Sequence, residues 1–124
     1  MKMINEIPIT VKAKGKLGGE IIGNVYVTRR RPIHVMRRTG GSFGISEDVL
    51  KKLKAFGVEY ILFLYFGKKE QAQFVAKLEQ YMKSDLIYYD DGDKQYHVRL
   101  RDMIKINGVA TWRHTVKELQ KKPL

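Results

Sequence analysis

The chain has 124 residues, 44% hydrophobic and 10% aromatic, which is long enough to bury roughly two thirds of its unfolded surface in one core and too apolar for a disordered or fibrous protein. It contains no cysteine, which excludes a disulfide framework, a zinc ribbon, an iron-sulfur site and a thiol nucleophile and predicts a reducing, cytoplasmic setting. Its 24 Lys and Arg against 13 Asp and Glu leave a net charge of +11, so the partner to expect is a polyanion.

The first residues, Met1 to Glu6, lack the apolar core of a signal peptide. Ile7 to Lys16 alternates, with Ile7, Ile9, Val11 and Ala13 on one side and Thr10, Lys12, Lys14 and Lys16 on the other, the pattern of a half-buried strand. Pro8 places that strand at an edge. Leu17-Gly18-Gly19 predicts a turn into a second strand, Glu20 to Arg30, with Gly23 as a bulge. Arg29 to Arg38 follows, with five arginines and His34 in ten residues, and Pro32 stops a helix from running through it. Thr39 to Gly44 reads as a flexible glycine loop.

Ser46 to Gly57 carries Val49, Leu50, Leu53 and Phe56 on one helical face, with Ser46 as N-cap, Glu47 and Asp48 in the first turn, and Gly57 as the left-handed stop. Val58 to Phe66 reads as a strand buried on both faces. Its longest apolar stretch, Tyr60 to Phe66, is seven residues, far short of the roughly 20 of a membrane span. Phe74, Val75, Leu78, Tyr81 and Met82 predict a helix over Glu70 to Met82, closed by Ser84-Asp85 before a strand Leu86 to Tyr89. Together these give a βαβ unit with a right-handed crossover. Asp90-Asp91-Gly92-Asp93 predicts a hairpin turn into a strand Gln95 to Arg101, with Tyr96, Val98 and Leu100 facing the core and Gln95, His97, Arg99 and Arg101 facing out. Met103 to Ile106 reads as a last short strand, and Val109, Trp112, Val116 and Leu119 mark a closing amphipathic helix. The fold class expected is a single α+β domain over residues 1–124. Its mixed sheet of about four to six strands has the βαβ unit of residues 58–89 at its centre and two or three packed helices.

The chemistry that these residues support is narrow. Gly40, Gly41 and Gly44 precede a helix, but they fit neither G-x-x-x-x-G-K-[ST] nor G-x-G-x-x-G, and Glu47 and Asp48 would repel a phosphate at that helix start. Asp90, Asp91 and Asp93, with His97 and Asp102, raise the alternative of a metal-dependent nuclease, although Asp and Gly belong in a hairpin tip for backbone reasons alone. His34, His97 and His114 show no zinc spacing, and Ser46 is explained as a cap, so neither a metal, another cofactor nor a catalytic residue is expected.

Charge is segregated along the chain. Residues 1–38 hold nine basic and two acidic side chains, 39–93 hold seven and nine, and 94–124 hold eight and two. A near-neutral scaffold with basic flanks predicts phosphate contacts from Lys12, Lys14, Lys16, Arg29, Arg30, Arg31, His34, Arg37, Arg38, Arg99 and Arg101. The planar fork of arginine suits phosphate best. Tyr26 and Phe43 lie near the arginine run and are candidates for base stacking, with Tyr26 better suited to the core. The order of Arg37-Arg38, GGSFGIS, helix, VEYILFLY strand, helix and a late Asp93-Lys94-Gln95 strand resembles small uncharacterised proteins of archaeal plasmids and viruses over about residues 25 to 104, a resemblance that implies no activity. The function expected is non-catalytic nucleic-acid binding, DNA ahead of RNA. The alternatives are a metal-dependent nuclease of a mobile element, or an interaction module for an acidic protein or anionic surface.

Overall fold

The computed structural model describes residues 9–13, 16–36 and 40–121. Among them ten strands form two sheets. A mixed six-stranded sheet runs in the order β1 (Ile9–Ala13), β2 (Lys16–Ile22), β3 (Val25–Arg29), β6 (Tyr60–Phe66), β7 (Gln71–Lys77) and β10 (Ile104–Asn107). A four-stranded sheet runs in the order β4 (Ile33–Met36), β5 (Gly40–Ser46), β9 (Asp93–Arg99) and β8 (Leu86–Asp90). The helices are α1 (Glu47–Ala55), α2 (Leu78–Met82) and α3 (Trp112–Lys121). The α+β class holds, with the larger sheet at the upper end of the expected strand number.

Strand β6 organises the core because it is buried on both faces, as its unbroken apolar run predicts. Ile61 and Phe63 point into a cluster that joins Phe43, Ile45 and Val98 of the small sheet to Leu50 and Leu53 of α1 and Tyr81 of α2. Tyr60, Leu62 and Leu64 point the other way, against Val116 and Leu119 of α3. The two sheets meet where the rings of Phe43 and Phe63 stack 4.3 Å apart and nearly parallel. Phe43 and Tyr26 are therefore core residues with no exposed surface, and neither is available to stack on a base.

The predicted βαβ unit is absent, because β6 pairs antiparallel with β7 along seven residues, from Tyr60↔Lys77 to Phe66↔Gln71. Gly67 N–H donates to the Glu70 carbonyl at 2.7 Å and closes the hairpin. The helix expected over Glu70 to Met82 survives only as the short α2. Gln71 to Lys77 is rich in good helix formers, but pairing on both sides of the strand overrides that propensity. Its two-residue alternation is hidden by Gln73, a polar residue with no exposed surface that accepts from Thr115 Oγ1 at 2.7 Å and so helps dock α3. The parallel neighbour of β6 is instead β3, reached through β4, β5 and α1.

Three other boundaries move. Leu17, Gly18 and Gly19 lie inside β2, not in a turn. The stretch Glu20 to Arg30 is two strands, joined by the two-residue Gly23-Asn24 turn in which Gly23 takes φ 61°, so Gly23 is a hairpin residue and not a bulge. Gly40 to Gly44 of the expected glycine loop lie in strand β5, paired with both β4 and β9, and Thr39 lies outside the described residues. The α1 caps and the Asp91-Gly92 turn form as expected. Ser46 Oγ accepts from Val49 N–H at 3.3 Å, Gly57 takes φ 77°, and Asp91 and Gly92 both take positive φ between β8 and β9.

Candidate nucleic-acid interface

Register defines the outer face of the small sheet, the one turned away from the core. Residues directly opposite in an antiparallel pair share a face, and Phe43, Ile45 and Val98 point inward. The outer face is therefore Ile33 of β4, Ser42 and Gly44 of β5, Gln95, His97 and Arg99 of β9, and Leu86, Tyr88 and Asp90 of β8. The alternation expected for Gln95 to Arg99 is correct. This face is nevertheless partly covered, since His97 is only 3% exposed and Ser42 7%.

A pocket of about 460 Å³ opens here. Gly44, Gln95 and His97 make its floor, Tyr88 and Asp90 one wall, and Arg30, Arg31 and Ile33 the other. The floor is rigidly built. Ser42 Oγ and His97 Nδ1 lie 2.8 Å apart, the Tyr88 and His97 rings stand perpendicular with centroids 4.9 Å apart, and Ser84 Oγ donates to the His97 carbonyl at 2.5 Å. Gly44 is needed because a Cβ at that position would lie 2.5 Å from His97 Nε2.

The three consecutive arginines do not form one patch. Strand alternation sends Arg29 to the α3 side of the six-stranded sheet, where it is exposed and stacks over Phe66 at 5.0 Å. Arg30 turns toward the small sheet, is half-buried, and braces the two sheets by donating through Nη1 to the Gly44 carbonyl at 3.1 Å and through Nε to Thr28 Oγ1 at 3.4 Å. Its charge also acts on the Tyr81 phenol. Burial pushes that phenol well above its ordinary value of 10.0, against the weaker opposing pull of Arg30, so Tyr81 stays a neutral donor to the Phe43 carbonyl at 2.8 Å. Arg31 is exposed at the pocket.

Arg99 is half-buried on the outer face, its Nε buried without a hydrogen-bond partner among the described residues. Arg101 has left the strand for a single 3-10 turn, Leu100–Asp102, where it is exposed. His97, expected to face solvent, is buried. Arg30 and Arg31 thus line the pocket on the sheet face that carries Arg99, while Arg29 lies on the α3 side and Arg101 lies outside the strand. Lys14, Arg37 and Arg38 lie outside the described residues, as do the side chains of Lys12, Lys16 and His34. Asp90 and Asp93 pair across the β8–β9 turn, and among the described residues no group of three or more His, Asp or Glu side chains converges as metal ligands would.

The pocket residues Tyr88, Gln95 and Gly44 were not expected at a site. Their signal was the shared parity of Tyr88, Gln95 and His97, which became informative only once β5 was known to be a strand. Comparisons with protein-family models, curated proteins and solved structures give no match to the chain.

Proposed function

We propose that this protein binds nucleic acid without catalysing a reaction on it, DNA in preference to RNA, through phosphate contacts from its basic flanks. The observation that carries this reading is the segregation of charge, a scaffold of seven basic and nine acidic residues set between flanks of nine against two and eight against two. Arg31 and Arg30 at the end of β3, and Arg99 on the same sheet face, are the described residues best placed for phosphate. Arg30 contributes charge while its fork is partly committed to Gly44 and Thr28. Among the described residues no helix is long and apolar enough to cross a membrane.

A titration with duplex DNA, single-stranded DNA and RNA at two salt concentrations tests the reading. Binding that weakens steeply with salt and is indifferent to Mg²⁺ or Mn²⁺ is the expected result. Metal-dependent cleavage abolished by Asp93→Ala would establish a nuclease instead, and salt-insensitive or absent binding would point to an acidic protein or anionic surface.

A further inference from the structure

We propose that the pocket on the outer face of the four-stranded sheet holds one unpaired base of a single-stranded nucleic acid, with the adjoining phosphate against Arg31; resting on the reading above, this adds the strand state of the ligand.

Size is the first ground. At about 460 Å³ the pocket falls within the range of small-molecule sites, whereas a bare phosphate would leave most of it unfilled. Lining is the second. Ile33, 46% exposed, and the ring of Tyr88 offer apolar and aromatic surface, while the Gln95 amide supplies both a donor and an acceptor. A neutral base, with donors and acceptors along its edge and an apolar face, meets a complementary group on each side, and its phosphate stays at the rim with exposed Arg31.

Pre-organisation is the third ground. The His97 ring is already held by Ser42 and Tyr88, and Arg30 is already tied to the Gly44 carbonyl, so the cavity exists before a ligand orders it. A base within a duplex is stacked and paired, and reaching the pocket would require extruding it. A single strand presents its bases at no such cost and gains stacking against Tyr88.

The test compares, on wild-type protein at fixed salt, a labelled single-stranded DNA, the same backbone carrying abasic sites throughout, and the duplex of the same sequence. The base-bearing single strand should bind roughly 5- to 150-fold more tightly than the abasic backbone, the range that one stacked base supplies, and more tightly than the duplex; a duplex bound as tightly as the single strand would overturn the preference for an unpaired base. Salt slopes should be alike for the base-bearing and abasic strands. Gln95→Ala and Tyr88→Ala should each narrow the gap, and because the main comparison uses wild-type protein it does not depend on either variant folding. Equal affinity for the abasic strand and the base-bearing one, with a steep salt slope for both, would overturn the base pocket and leave phosphate binding intact. Absence of salt-dependent binding to any of the three would overturn both.

Discussion

Separating Arg31 from Arg30 should split two effects that a combined substitution would blend. Arg31 is exposed at the pocket mouth and no described hydrogen bond or ion pair engages it, so Arg31→Ala should leave folding intact and remove one phosphate contact. One contact is worth about 0.9 in the slope of log K against log salt on duplex DNA and about 0.7 on a single strand. Over a fourfold rise in salt, the duplex value is about a 3-fold difference in affinity. Arg30→Ala removes charge as well, but it also strips the Gly44 carbonyl of a charged donor at 3.1 Å and Thr28 of a weaker one at 3.4 Å. Discounted for its partial exposure, that loss should cost about 1 to 2 kcal/mol, or about 3 to 5 °C in Tm per kcal/mol in a chain of this size. Fluorescence anisotropy across a salt series reads the first effect, and thermal melting without nucleic acid reads the second. The exposed lysines of α1, Lys51, Lys52 and Lys54, are the control. An unchanged slope for Arg31→Ala together with a flattened one for the lysine variants would move the site to α1. An unchanged Tm for Arg30→Ala would refute its bracing role.

Three further outcomes follow from the packing. Leu62→Ala should cost about 2 to 5 kcal/mol in denaturant unfolding, because Leu62 has no exposed surface and packs from β6 into the cluster with Val116 and Leu119 of α3; a cost below about 1 kcal/mol would mean that this face is not packed. Gly44→Ala should destabilise by about 1 to 3 kcal/mol and shift the His97 ring resonances in an NMR spectrum, since the new methyl displaces the imidazole from Ser42; unmoved resonances would contradict the contact. The Tyr96 hydroxyl, donating to Glu47 at 3.0 Å, holds that carboxyl below its usual 4.5 with help from Lys94 and Lys51 and against a partial loss of hydration. A depressed folded value means stability that is present above the unfolded one and lost as pH falls through the folded one. The stability gap between wild type and Tyr96→Phe should therefore shrink as pH falls below the ordinary carboxylate value of 4.5, and a gap constant with pH would contradict the contact.

How much of this was legible follows from which residues face where. β6 could be read directly, since burial on both faces leaves a contiguous apolar run, and α1 announced itself through Ser46 and Gly57. β7 could not, because Gln73 is buried for its bonds to Thr111 and to Thr115 of α3, and the strand's Ala, Gln and Lys content imitates a helix. β5 was concealed by its glycines, one of which is there to admit the His97 ring. For the site, the arginine run was visible in the chain, but the alternation that separates Arg29 from Arg30, and the pairing that sets Gln95 and Tyr88 beside Arg31, depend on register between distant segments. Local pattern carries no information about that register.

The most direct measurement is a map of backbone amide chemical-shift changes as single-stranded or duplex DNA is added to the wild-type protein at low salt. Changes concentrated in the end of β3, Arg31 and Ile33, β5 around Gly44, and Gln95 to Arg99 of β9, and reversed by added salt, are the predicted result. Changes confined to α1 or α3, or no change with any nucleic acid, would contradict binding through the arginines at the end of β3.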